Sequence, residues 1–337
     1  MRTARAMTEL SGLAVALATP FGKDGALDLP AFRRLVRHVV AGGVDILVPL
    51  GSTGEAATLH EPERDALITA CLEECGGRPV IVGTGSNATA QAAAWTARAQ
   101  ALGADGALVV TPYYNKPTVA GLIAHYTAVA AAAPGLPLVA YNVPGRTGLN
   151  LSPAALLALW RIPQLVAVKE SSGNLVQIGT MASQLPPGKR LLAGDDGLAL
   201  PSIAAGACGL VSVLANLLPR ETRALVRAAL AGHFDEARTW HATLLPVIEA
   251  LFAESNPIPL KAGLSLLGLA GDTLRLPLTT PETATRERLA IALRAAGIEL
   301  RSASASRPSP TAANAGPVPS PAVLAISASG ASASGSP

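Results

Sequence analysis

Aromatic side chains make up only 3% of this chain, cysteines number three, and charge of neither sign dominates. Each scarcity excludes something. Half of the residues are apolar, and with so few aromatics much of that half is alanine, which fits a helix-rich α/β protein packed from small and aliphatic side chains. Cys71, Cys75 and Cys208 are too few and too irregularly spaced for a disulfide framework or a zinc site. Cys71 and Cys75 share a helical face as small hydrophobes, and a reducing cytoplasm is the expected compartment. The formal charge of +3 sits at the ends: Arg2, Arg5 and Glu9 leave the first nine residues at +1, and Arg301 and Arg307 give the last stretch +2. The body is neutral, so a nucleic-acid surface is not expected. Residues 197–219 carry no charge, but Pro201, Gly206, Gly209 and Asn216 break the run, so no membrane span is expected. Arg2 and Arg5 ahead of the apolar run 12–18 imitate an export signal; the run is minimal and Glu9 precedes it, so it reads as a first strand, with 1–8 as a flexible N-terminus and Met7 as a possible start. No Gly-x-Gly-x-x-Gly follows that strand, and the five histidines show no ligand spacing; neither a cofactor nor a metal is expected.

What the chain does have is alternation. Short apolar runs at 12–18, 45–50, 79–83, 106–111, 137–142, 165–169, 190–194 and 209–213 are separated by amphipathic stretches at 30–41, 61–75, 89–102, 118–133, 152–160, 174–184, 196–206 and 219–231. Unbroken apolar runs suit parallel strands buried on both faces, and several of the intervening stretches open with a capping or acidic residue followed by proline. Eight such units predict a (β/α)8 TIM barrel over residues 9–231. Helices near 233–252, 257–268 and 281–296 predict a small C-terminal helical domain over 232–298, and the Ser/Ala/Pro-rich remainder, 299–337, predicts a disordered tail.

In such barrels chemistry collects at the carboxyl ends of the strands. Here the second run leads into Gly51-Ser52-Thr53-Gly54-Glu55, whose small residues can present backbone N–H groups to a carboxylate. The fourth leads into Tyr113-Tyr114, the fifth into Tyr141 and Arg146, and the sixth ends in Lys169. Desolvated lysines are nucleophiles towards carbonyl compounds. Taken singly, each residue has a plainer reading: a tight turn, a core tyrosine, a surface arginine, a strand-end lysine snorkelling into water. Their convergence on one rim favours chemistry, with an amine for a carbonyl, phenol and hydroxyl for protons, and guanidinium for a carboxylate. That set suits a carbon–carbon lyase or synthase acting on a keto acid.

Six blocks in order resemble the dihydrodipicolinate synthase family, within the pyruvate-Schiff-base aldolase superfamily that also holds N-acetylneuraminate lyase. They are Gly51-Ser52-Thr53-Gly54-Glu55, Thr111-Pro112-Tyr113-Tyr114-Asn115-Lys116-Pro117, Tyr141-Asn142-Val143-Pro144-Gly145-Arg146-Thr147-Gly148, Val168-Lys169-Glu170-Ser171-Ser172-Gly173-Asn174, Gly194-Asp195-Asp196 and Asn256-Pro257-Ile258-Pro259-Leu260-Lys261. The likeness covers residues 10–298. It implies a cytoplasmic enzyme that condenses pyruvate with L-aspartate 4-semialdehyde in diaminopimelate and lysine biosynthesis. By the same resemblance Lys169 forms the Schiff base, Tyr141 shuttles protons, and Ser52 links Tyr141 to a Tyr114 donated by a neighbouring subunit. Ser52 and Thr53 amides would hold the pyruvate carboxylate, Arg146 that of the aldehyde, and the main chain at Val211 would touch pyruvate. The implied assembly is a homodimer paired into a homotetramer.

Two departures stand out. Ser52 replaces the family's usual threonine and, as serine also occurs in the sialic-acid lyase branch, leaves open another pyruvate-dependent aldolase acting on N-acetylneuraminate or a keto-deoxy sugar acid. A non-catalytic keto-acid-binding paralogue is the other alternative. Glu61, Arg64 and Gln91 stand where the family's lysine-feedback site uses histidines and a glutamate, while Asn87 and Tyr113 remain, which implies weak or absent inhibition by lysine.

Overall fold

The computed structural model describes residues 10–300. The expected flexible N-terminus and all but Glu299 and Leu300 of the expected tail lie outside those residues. Eight parallel strands form the centre: β1 (Gly12–Ala16), β2 (Ile46–Val48), β3 (Ile81–Gly83), β4 (Gly106–Val110), β5 (Leu138–Asn142), β6 (Leu165–Glu170), β7 (Arg190–Ala193) and β8 (Gly209–Ser212). From β3 round to β8 each strand pairs with the next, β8 pairs with β1, and β1 with β2. The seam between β2 and β3 is thinner. One parallel bridge, Leu47 to Val80, spans it, with Leu47 N donating to Pro79 O and Gly83 N to Pro49 O, each at 2.9 Å. Gly83 makes that approach possible, since a Cβ there would lie 2.0 Å from Leu50 O. The ring is the expected (β/α)8 barrel.

The helices are α1 (Leu29–Ala41), α2 (Glu61–Glu74), α3 (Thr89–Ala101), α4 (Val119–Ala132), α5 (Pro144–Thr147), α6 (Pro153–Leu159), α7 (Leu175–Ser183), α8 (Ala199–Ala204), α9 (Pro219–Leu230), α10 (Phe234–Leu251), α11 (Ile258–Leu266) and α12 (Thr283–Ala295). Local chemistry starts several of them: Asp28 accepts from Ala31 N, Ser152 from Ala155 N and Asn174 from Gln177 N, with proline in the first turn of α1 and α6. One expected helix differs. The stretch 196–206 is a 3-10 turn, Asp196–Leu198, followed by the short α8, because Asp195 caps Gly197 N and Asp196 is drawn into contacts of its own.

Two apolar layers result. Ala14, Ile46, Leu108, Val139, Ala167 and Val211 fill the barrel interior, while a larger cluster, including Leu13, Leu47, Val109 and Val168, packs between strands and helices. The two-residue period of a strand explains the split, since neighbouring residues face opposite sides. Helix α10 packs on α9, and α12 packs on α10 and α11, so the chain after the barrel returns to its rim.

Candidate active site

The interior face of β6 ends in Lys169, which is buried at 5% exposure. It does not snorkel. Its register partner on β5 is Tyr141, and Lys169 Nζ lies 4.1 Å from the centre of the Tyr141 ring. No carboxylate pairs with Lys169 among the described residues. Gly194, at the end of β7, leaves room for the lysine stem, because a Cβ there would fall 2.8 Å from Lys169 Cε. The next residue, Glu170, faces outward and is satisfied by Asn142 Nδ2 and Ser172 N, at 2.8 and 2.7 Å. Its charge is thereby directed away from the amine.

Burial opposes ionisation of the Tyr141 phenol, yet the positive charges of Lys169 and Arg146 and the hydroxyls of Ser52 and Ser171 outweigh it and bring its pKa below the ordinary tyrosine value. A phenol so placed gives and takes protons more readily at neutral pH. Ser52 opens the 3-10 turn Ser52–Gly54 beyond β2. The hydrogen bonds of that turn run from Gly54 N to Gly51 O and from Glu55 N to Ser52 O, so the Ser52 and Thr53 amides, first in the turn, take no part in them. Such amides can receive an anion.

Arg146 sits on the four-residue α5, too short to show a period in the sequence, and its Nη2 donates to Asn256 O at 2.8 Å. The Asn256 side chain in turn donates to Thr53 Oγ1 at 2.9 Å. One residue of the C-terminal segment thus joins the two elements that could hold carboxylates. It belongs to a block singled out in the sequence, but its role is not legible there; a polar residue just ahead of the apolar run 257–260 was the available signal. Behind the turn, Glu55 forms an ion pair with the fully buried Lys261 and accepts from Arg275 N at 3.0 Å. Asp196 holds the chain after β8 by accepting from Ser212 Oγ, Val213 N and Leu214 N; burial raises its pKa to about 6 against the pull of those bonds. Val211 lines the interior two residues earlier.

Tyr114 stands apart. It is 89% exposed, has a left-handed backbone (φ 65°), and makes no hydrogen bond or ring contact with the site among the described residues. Only Leu50, Glu55 and Tyr114 adopt positive φ among the described non-glycine residues, and all three flank these rim loops. No group of three or more His, Cys, Asp and Glu suited to a metal occurs among the described residues. Nor is any described helix long and apolar enough to cross a membrane.

The sequence pattern of the dihydrodipicolinate synthetase family matches residues 9–296. The 4-hydroxy-tetrahydrodipicolinate synthase of Geotalea daltonii is 46% identical over 284 residues, spanning 84% of this chain and 97% of its own. Among solved structures, the dihydrodipicolinate synthase of Aquifex aeolicus superposes with a TM-score of 0.84 at 40% identity, covering 87% of this chain and all of its own. The chloride-inhibited dihydrodipicolinate synthase of Acinetobacter baumannii, complexed with pyruvate, gives the same TM-score and identity over 86% of this chain and 99% of its own.

Proposed function

The chain belongs to the dihydrodipicolinate synthetase family, and from that premise we propose that it condenses pyruvate with L-aspartate 4-semialdehyde, the lyase-class reaction of a 4-hydroxy-tetrahydrodipicolinate synthase, serving diaminopimelate and lysine biosynthesis. The observation that carries the mechanism is the Lys169 amine, buried over the Tyr141 ring and free of any carboxylate among the described residues. An amine without an ion-pair partner needs only to lose a proton to attack the keto carbon of pyruvate. Water leaves to give a Schiff base, and loss of a proton from the pyruvate methyl group gives the enamine that attacks the aldehyde. Tyr141 carries these protons, with Ser52 passing them on towards Tyr114. The Ser52 and Thr53 amides take the pyruvate carboxylate, Arg146 takes that of the aldehyde, and the main chain at Val211 touches pyruvate.

A homodimer completes the site. Tyr114 is exposed and conformationally strained on its own subunit, which suits a residue that reaches into a neighbour's site, and paired dimers make the tetramer. The compartment is the cytoplasm, consistent with three free cysteines. Lysine is a weak inhibitor or none. Arg64 is buried, stacks 3.9 Å from Trp95 and donates to Ala56 O and Gly83 O, and a fixed positive charge at a position that the resemblance assigns to the feedback site does not favour an incoming ammonium. Half-inhibition by millimolar lysine in the purified enzyme would overturn that statement. The mechanism itself is tested by adding pyruvate, reducing with borohydride and mapping the adduct by mass spectrometry. The adduct belongs on Lys169; its absence, or its appearance elsewhere, refutes the scheme, and a coupled assay with aspartate semialdehyde then tests the second substrate.

A further inference from the structure

We propose that Ser171 is a positioning residue for Tyr141, its hydroxyl turning to the phenolate from the β6 side during turnover. The inference rests on the reading of Tyr141 as the proton carrier. Strand periodicity puts Ala167, Lys169 and Ser171 on one face of β6, and Ala167 belongs to the barrel interior. The β5–β6 ladder runs one residue past the strand, with Ser171 N donating to Asn142 O at 2.9 Å, so the backbone of Ser171 is held beside that of Tyr141 and Asn142. Lys169 and Tyr141 are direct cross-strand neighbours, so Ser171 follows on the same face two residues beyond the partner of Tyr141.

Gly194 fixes the hydroxyl more closely. A Cβ at that position would fall 1.9 Å from Ser171 Oγ and 2.8 Å from Lys169 Cε, so the hydroxyl and the lysine stem share the space that glycine leaves open on β7. Ser171 Oγ is nevertheless buried without a hydrogen bond of ordinary geometry among the described residues. A buried hydroxyl without a partner is costly, and a serine hydroxyl is free to rotate towards an acceptor that appears during turnover. Tyr141, on the same interior face of the neighbouring strand, carries the oxygen that becomes negative when its proton leaves. Lys169, Arg146, Ser52 and Ser171 are the groups that act on this phenol against the effect of its burial, and of the four only Ser171 had no assigned part.

The test uses Ser171→Ala and Ser171→Thr in the full chain. The sequence holds four tyrosines, so the difference in tyrosinate absorbance between the wild type and Tyr141→Phe isolates one titration. In Ser171→Ala that titration moves up by about half a unit to one unit, and the limb of the kcat–pH profile that follows it moves with it. At neutral pH kcat falls roughly three- to tenfold while KM for pyruvate changes less than about twofold. Ser171→Thr, which keeps the hydroxyl, restores the profile. A space-filling role would leave titration and profile unmoved, and curves superimposable on those of the wild type would overturn the proposal. Borohydride trapping with pyruvate separates this failure from that of the mechanism: an adduct on Lys169 in the wild type and in Ser171→Ala leaves the Schiff-base reading standing whatever the titration shows.

Discussion

Lys169 and Lys261 are the two buried lysines among the described residues, and each ammonium lies over an aromatic ring at nearly the same distance, 4.1 Å over Tyr141 and 4.0 Å over Phe21. Their other partners differ. Lys261 is paired with Glu55 and donates to Thr273 O at 2.8 Å. Burial pushes its pKa down to about 8, with Glu55 pulling the other way. Lys169 has no such partner. Burial alone therefore does not make a lysine chemical; what separates the two is whether the charge is answered by a carboxylate. Lys261 spends its charge in joining α11 to the turn beyond β2, whereas Lys169 keeps its nitrogen available.

The contrast can be broken most severely by Lys169→Ala. Removing the proposed nucleophile should lower turnover at least about a thousandfold and abolish the pyruvate–borohydride adduct, with folding unaffected. An adduct transferred to Lys261 would end the distinction. Next in size is Lys261→Met, which strands the Glu55 charge. Stability should fall by about 3–5 kcal/mol in urea unfolding, and a second change, Glu55→Gln, should recover most of it. The trapped adduct on Lys169 should persist in both variants. A smaller effect is expected for Asn256→Ala, which removes the hydrogen bond to Thr53 Oγ1 but leaves the main-chain acceptor for Arg146. KM for pyruvate should rise up to about tenfold with a smaller change in kcat, as measured by steady-state kinetics.

The smallest effect concerns pH. Hydrogen bonds from Arg275 hold the Glu63 carboxyl down to about 2, against burial, from an ordinary 4.5. A depressed carboxyl stabilises fully above its unfolded value and loses that contribution as pH falls from about 4.5 towards 2. The pair is partly exposed, so the contribution stays near 1 kcal/mol or below. Urea midpoints measured between pH 6 and pH 3 should therefore drop less steeply in Arg275→Gln.

Much of the barrel was legible because its strands are buried on both faces: an unbroken run such as Leu138–Asn142 can hardly be anything else between two amphipathic helices. The rim residues were legible for a related reason, since a lysine or tyrosine closing such a run must sit at the strand's carboxyl end. The joining of Thr53 to Asn256, 203 residues away, was not, because it depends on how the last helices return to the rim, and no local period encodes that. The same holds for Glu55 and Lys261. Ser171 escaped notice because a serine after a strand reads as turn chemistry; only the space left by Gly194 gives its hydroxyl a direction.

The thin seam between β2 and β3 has a mechanical consequence. Both strands are three residues long and are joined by a single bridge, as β7 and β8 are by a single register pair, whereas β5 and β6 are paired over their length. A ring with two thinly paired seams yields more readily at those seams than between β5 and β6. Strand β2 leads into the turn that carries Ser52 and Thr53, so that turn stands on a thinly paired edge, while Tyr141 and Lys169 are set by the continuous β5–β6 ladder.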